Sequence, residues 1–288
     1  MTAGANAVLH TVGPIEESEG FSLISNTRLW EMYAAMMQCR MTAEAAKGAY
    51  AACVGWEAAA AAVTVDLHAE DALSTTAPSV LAAVVKGASA AAMARGKATE
   101  RDLLASRVLP QAASDVARLY AACGVALAEK LRKSGRVVVA FLSHEEGTRA
   151  GTCEALKFCC THELPMVLVD LHATSTRATL ADGKEKEALA YFAGGVPVIA
   201  VDGSDAVGVY RVASEALTRA RQDRGPTVIE CLGPAHAAMR AWQSEKHDPL
   251  EAMELYLERK GIFREERKKS LRAEITRALR EATGTRKK

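Results

Sequence analysis

Three adjacent side chains, His144, Glu145 and Glu146, carry the most concentrated polar chemistry in the sequence. An imidazole beside two carboxylates could act as an acid–base pair or donate to a metal ion. Three consecutive residues rarely converge on one ion, so the plainer reading is an exposed polar turn. His172 follows an apolar run, where it stands equally as a functional candidate and as a structural residue. His68, with Glu70 and Asp71 just beyond, closes a helical stretch and reads as a C-terminal cap. His162 reads as a solvated loop residue. Ser143 and Ser175 lack the Gly-x-Ser-x-Gly surround of a nucleophile elbow. The seven cysteines show no framework spacing, and several fall in apolar segments. They read as buried thiols rather than disulfides or zinc ligands. Cys159 and Cys160 are neighbours, so on a helix they point to different sides and suit neither a redox pair nor a metal clamp.

These side chains need a scaffold. Residues Val137–Leu142 form a short, unbroken apolar run rich in β-branched residues, the pattern of a strand buried on both faces of a parallel sheet. A polar elbow, Ser143–Gly147, follows, and then a helical stretch over Thr148–Cys160. Further along come strand Met166–Leu171, a polar loop over His172–Asp182 and a short helix near Glu185–Phe192. Strand Pro197–Val201, helix Asp205–Gln222, strand Thr227–Leu232 and helices Pro249–Arg259 and Glu265–Glu281 complete the pattern. Strands separated by helices imply right-handed crossovers and a parallel sheet covered by helices on both faces. Upstream the chain reads as a helical N-terminal layer. Ser25 or Asn26 caps a long helix, an alanine-rich helix covers Trp56–Leu67, and Ala72–Ser74 is a short strand or turn. Helices over Val80–Ala94, Thr99–Ser106 and Pro110–Lys133 follow. The Trp30, Met32, Met36 and Met37 stripe reads as core or subunit interface. The fold class is α/β. In such open sheets ligands bind beyond the carboxyl ends of the strands, which makes the elbow the first expected site.

Composition narrows the function classes. A formal charge of +1 over 288 residues gives no argument for a nucleic-acid or membrane partner, and 49% hydrophobic residues supply a sizeable core. No run approaches the ~18–20 apolar residues needed to span a bilayer. Residues Met1–Gly20 lack the charged-then-apolar order of a signal peptide. The expectation is a soluble cytoplasmic protein with a flexible arm at 1–24, a single domain over 25–283 and a basic tail at 284–288.

The stretch Ala193–Cys231, AGGVPVIAVDGSDAVGVYRVASEALTRARQDRGPTVIEC, resembles a known family. That family is the alpha subunit of the first component of thiamine-diphosphate-dependent 2-oxo acid dehydrogenases, the pyruvate, branched-chain and acetoin group. Gly55-Trp56-Glu57-Ala58 is similar to the family's Gly-Gln-Glu-Ala. Leu127-Ala128-Glu129-Lys130, Glu154-Ala155-Leu156 and Asp248-Pro249-Leu250 also fit, so the resemblance spans roughly residues 25–280. It implies a thiamine-diphosphate-binding fold and pairing with a beta subunit.

The departures carry equal weight. In the family the elbow reads Gly-Asp-Gly and an asparagine pair closes the next strand; the aspartate and an asparagine hold the Mg²⁺ that holds the cofactor's diphosphate. The resemblance puts Ser143, His144 and Glu145 at the first motif and His172 and Ala173 at the second. Mg²⁺ demands compact oxygen ligands. An imidazole and a methyl group are poor replacements. Glu145 and Glu146 would also repel a diphosphate by about 4 kcal/mol at ~4 Å and an effective dielectric near 20. Thr75-Thr76-Ala77-Pro78 lacks the family's Tyr-Arg pair, and Gly233-Pro234-Ala235-His236 stands where a second Tyr-Arg precedes Gly-His-Ser. The resulting expectation is a non-catalytic relative that binds no cofactor and serves as a structural or regulatory subunit, in a homo-oligomer or beside a beta-subunit-like chain. The alternative is a working alpha subunit with an altered thiamine diphosphate–Mg²⁺ site in which Glu145 or Glu146 replaces a metal ligand.

Overall fold

A computed structural model describes residues 23–112, 114–143, 150–173, 195–233 and 248–281. The expected helix near Glu185–Phe192, the N-terminal arm to residue 22 and the basic tail lie outside the described residues.

Five strands among those residues form one parallel sheet. They are β1 (Ala72–Ser74), β2 (Val138–Ser143), β3 (Met166–Ala173), β4 (Val198–Asp202) and β5 (Thr227–Gly233). Their order is β1-β2-β3-β5-β4, so β5 inserts between β3 and β4. Ten helices are labelled among the described residues. The helical layer holds α1 (Asn26–Ala45), α2 (Glu57–Thr64), α3 (Ala82–Val85), α4 (Ala90–Ala94) and α5 (Glu100–Ala105). The alternating part holds α6 (Asp115–Leu131), α7 (Ala150–Thr161) and α8 (Ala206–Arg221), followed by α9 (Pro249–Arg259) and α10 (Glu265–Glu281).

Side-chain alternation along β2 shows why the strands read as unbroken apolar runs. Val138, Ala140 and Leu142 enter a cluster with Leu119, Ala122 and Ala126 of α6 and with Ala155 and Leu156 of α7. Val139 and Phe141 enter a larger cluster shared with α1, α2 and α8. Both faces are covered, so neither face calls for polar residues. The α/β reading holds.

Helix α1 begins where Ser25 accepts a hydrogen bond from the Arg28 amide at 3.1 Å. Trp30, Met32, Met36 and Met37 are all core residues, at most 2% exposed. Every residue of α2 is buried, and its alanines let the backbone lie close to α1 and α8. Two expected helices need correction. Val80–Ala94 is not continuous: it splits into α3 and α4 at Gly87, whose φ of 116° leaves the helical region, and Ser89 caps the second piece. Pro110 lies outside α6, which starts five residues later because Ser114 caps it. Strand β3 also runs two residues further than its apolar run, so His172 and Ala173 belong to the strand and not to a loop.

The amino edge of the sheet is tied by one buried carboxylate. Asp71 is fully buried and accepts from the Val137 amide at 3.0 Å and the His68 amide at 2.7 Å. Arg221, at the end of α8, grips both of its oxygens, at 3.0 and 2.5 Å. Hydrogen bonds to charged groups contribute about 1.5–3 kcal/mol each, so this residue fixes the start of β1, the start of β2 and the end of α8 together. His68 is exposed and contributes its main chain here: its amide donates to Asp71 and its carbonyl accepts from Lys86.

Candidate functional site

The carboxyl edge is where topology puts a ligand. Three of the five sequence-derived positions come together there. Ser143 ends β2 opposite Leu171, His172 lies opposite Leu232, and Ala173 ends β3 opposite Gly233, the last residue of β5. His144 and Glu145 lie outside the described residues, as do Glu146 and His236.

Beside these strand ends stands Trp56, which the alanine-rich helix α2 presents from its N-cap position. The indole is 5% exposed and covers Gly233 and Gly203. A Cβ on Gly233 would lie 2.8 Å from Trp56 Cζ3 and closer still to Cη2; one on Gly203 would lie 3.0 Å from Cζ3. Both positions therefore need glycine, and the ring fills the space above the ends of β4 and β5. Gly203 also donates to the Leu232 carbonyl at 2.7 Å, and Asp205 caps α8 through the amides of Val207 and Gly208, each at 3.0 Å.

Below Trp56, the next residue anchors the layer. Glu57 is 2% exposed; one carboxylate oxygen accepts from the Gly55 amide at 2.8 Å and the other from Arg40 Nε at 2.5 Å. Arg40 turns its two terminal nitrogens to Asp248, at 2.7 and 3.2 Å, and Asp248 caps α9 through the Leu250 amide at 2.8 Å. Burial opposes the Arg40 charge, but the two carboxylates more than offset it and hold the guanidinium above its ordinary value.

On the opposite face of the sheet, Arg118 of α6 is 1% exposed. It donates to Ser74 Oγ at 2.9 Å and to the Phe141 carbonyl at 3.0 Å, which brings a guanidinium to the carboxyl end of β1 and β2. Asp170, fully buried within β3, lies between Leu142 and Glu230 in the strand register. Sequence reasoning missed both. The available signal was a charged residue at an apolar position: Arg118 precedes Ala122 and Ala126 by whole helical turns, and Asp170 interrupts a run of Val and Leu.

Among the described residues, the strand ends do not supply the donor set that the resemblance implies for a diphosphate held through Mg²⁺. Strand β3 closes on an alanine whose side chain offers no oxygen, β2 closes on a serine, and an indole stands over the ends of β4 and β5. Among the described residues no group of three or more His, Cys, Asp or Glu side chains is arranged to hold a metal ion. No helix among them is long and apolar enough to cross a membrane.

The chain is similar to the pyruvate dehydrogenase E1 component subunit alpha of Acholeplasma laidlawii, at 34% identity over 172 residues, 54% of this chain and 50% of that one. It is also similar to the protein of that name from Staphylococcus aureus, at 30% identity over 194 residues, 59% of this chain and 52% of that one. The chain thus spans about half the length of the curated relatives it matches. A benzoylformate decarboxylase structure from Polynucleobacter necessarius aligns at a TM-score of 0.43 and 14% identity, over 61% of this chain and 32% of that one. The family model described as dehydrogenase E1 component matches residues 27–233, from the first turn of α1 to the last residue of β5. The chain belongs to the dehydrogenase E1 component family.

Proposed function

We propose that the chain works as an alpha-type subunit of a 2-oxo acid dehydrogenase, beside a beta-type chain and in the cytoplasm. The observation that carries this reading is the extent of the family match, which takes in the helical layer and all five strands. The relatives it resembles are named as alpha subunits, which supports an assembly of more than one kind of chain. The test is co-expression with a beta-type chain encoded in the same genome. Co-purification of the two, with decarboxylation of a 2-oxo acid coupled to an electron acceptor, is the expected result. Failure of the two chains to associate overturns the reading.

A second reading is favoured by the donor set at the strand ends. Here the subunit contributes structure or regulation to the assembly and binds no thiamine diphosphate of its own. Ala173 and the indole over Gly233 support it. Isothermal titration of the chain, alone and with its beta-type partner, with thiamine diphosphate and Mg²⁺ separates the two. Binding at micromolar affinity or tighter sinks the non-catalytic reading. In that event Glu145→Gln is expected to lower activity, since Glu145 or Glu146 then supplies the missing oxygen ligand.

A further inference from the structure

The two helices that cover β2 meet through sulfur. Cys123 of α6 and Cys159 of α7 lie 36 residues apart, with their Sγ atoms at 3.2 Å. Both are buried, at 1% and 0% exposure, and both are free thiols. Close approach of the helices is built in nearby: Gly151 of α7 sits under Val116 of α6, where a Cβ would come within 2.7 Å of Val116 Cγ1. A bonded pair of sulfurs stands about 2.05 Å apart, so closing the bond asks for only about 1.2 Å of relative motion. Either thiol can donate in this contact, and the Cys159 S–H also lies 3.6 Å from the Met166 sulfur. The hydrogen bond with Cys159 outweighs burial to hold the Cys123 thiol below its ordinary value. At 3.2 Å the two sulfurs are placed so that one can attack the other once either is oxidised.

We propose that Cys123 and Cys159 are a redox modification site, forming a reversible intrachain disulfide when the protein meets a hydroperoxide. The Cys123 thiolate attacks the peroxide oxygen; the O–O bond breaks, the sulfur becomes a sulfenic acid, and the leaving oxygen takes up a proton as water or an alcohol. Cys159 sulfur then attacks the sulfenic sulfur. The S–S bond forms, the S–O bond breaks, and the departing hydroxide takes the Cys159 proton as water. Two electrons pass from the pair of thiols to the peroxide, and a small thiol reverses the change by exchange. The bond staples α6 to α7 and encloses β2 in a covalent ring. Burial makes the reaction slow, because the oxidant must reach thiols that are at most 1% exposed. Sequence spacing gives no sign of the pair, because the two thiols sit on separate helices.

The test treats the full chain with hydrogen peroxide, blocks remaining thiols after denaturation and maps the peptides by mass spectrometry. The expected product is one cross-linked peptide pair containing Cys123 and Cys159, lighter by two hydrogen atoms and restored by dithiothreitol. The chain-entropy effect should also raise Tm of the oxidised form by about 5–10 °C. The half-exposed Cys153 and Cys160 are the competing targets. Oxidation confined to them, with Cys123 and Cys159 both recovered as blocked thiols, overturns the proposal. The experiment runs on the unaltered protein, so it does not depend on any variant folding. Cys159→Ala, where it folds, should abolish the cross-link and the Tm difference together.

Discussion

Arg40 and Asp248 are 208 positions apart and joined by two side-by-side hydrogen bonds. The same guanidinium holds Glu57 through its third nitrogen. Glu57 and Asp248 belong to two separate motifs that carry the family resemblance, so the pairing explains why both are present. One arginine fastens the alanine-rich helix and the start of α9 to the middle of α1. The C-terminal helices are thereby attached to the layer that stands beside the carboxyl edge of the sheet.

Replacing Arg40 by methionine leaves Glu57, 2% exposed, as a buried carboxylate with only the Gly55 amide among its recorded hydrogen-bond donors. Breaking a buried pair from one side costs about 3–5 kcal/mol. Urea unfolding should show that loss in the midpoint with little change in slope. Glu57→Gln in the same background should return part of it, because the remaining partner is then neutral. A loss below about 1 kcal/mol for Arg40→Met would mean that the network is a solvated ornament.

The contact between Trp56 and Gly233 predicts a size rule. Gly233→Ala forces the new methyl into the indole, and overpacking of that kind costs about 1–3 kcal/mol. Trimming the ring with Trp56→Phe should relieve the clash, so the double variant should be more stable than the sum of the two single changes allows. A thermodynamic cycle on the four proteins gives the coupling directly. Additive effects would show that the ring moves aside freely, and with it the argument that the ends of β4 and β5 are filled.

Much of the fold was legible because it rests on local pattern. Runs such as Val137–Leu142 and Met166–Leu171 read as strands since both of their faces are covered, and Ser25, Thr99, Asp205 and Asp248 mark helix starts by their own hydrogen bonds. The break at Gly87 was not legible, since alanine-rich sequence on both sides favours a helix and only the backbone's left-handed turn reveals the division. Topology named the carboxyl edge as the expected place for a site, and three of the positions expected there, Ser143, His172 and Ala173, fall at adjoining strand ends. What surrounds them did not follow. Trp56 over Gly233, Arg118 under Ser74 and the Cys123–Cys159 pair join residues from distant parts of the chain, and no periodicity records such meetings.

Acid should weaken the protein partly through Glu129, which is 3% exposed. Burial alone would raise its carboxyl, but the Ser134 hydrogen bond and the guanidiniums of Arg107 and Arg136 more than offset that and leave it below the ordinary value of 4.5. With the folded value depressed, the group binds a proton more readily in the unfolded chain. Its stabilisation is therefore fully present above pH 4.5 and is lost as pH falls through the lower folded value. Stability of Glu129→Gln relative to the unaltered protein, followed by urea midpoint against pH, should show a deficit near neutrality that shrinks in acid. A deficit constant with pH would assign the effect to packing and not to charge.

Arg118 holds a charge at 1% exposure, a position that is expensive to keep and simple to replace. Methionine matches its bulk and removes its charge. The Phe141 carbonyl and the Ser74 hydroxyl then lose their recorded partner in a dry interior, and an orphaned buried acceptor costs about 1–3 kcal/mol. Lysine should not rescue the loss. Its single ammonium lacks the planar fork that lets one nitrogen serve both Ser74 and Phe141 while another faces Asp115 at 3.7 Å. Native-state hydrogen exchange locates the effect: amides of β1 and β2 should lose protection in both variants, while those of α9 and α10, held by the Arg40 network, should not. Loss of protection spread evenly over the chain would instead make Arg118 a general core residue with no special hold on the carboxyl edge.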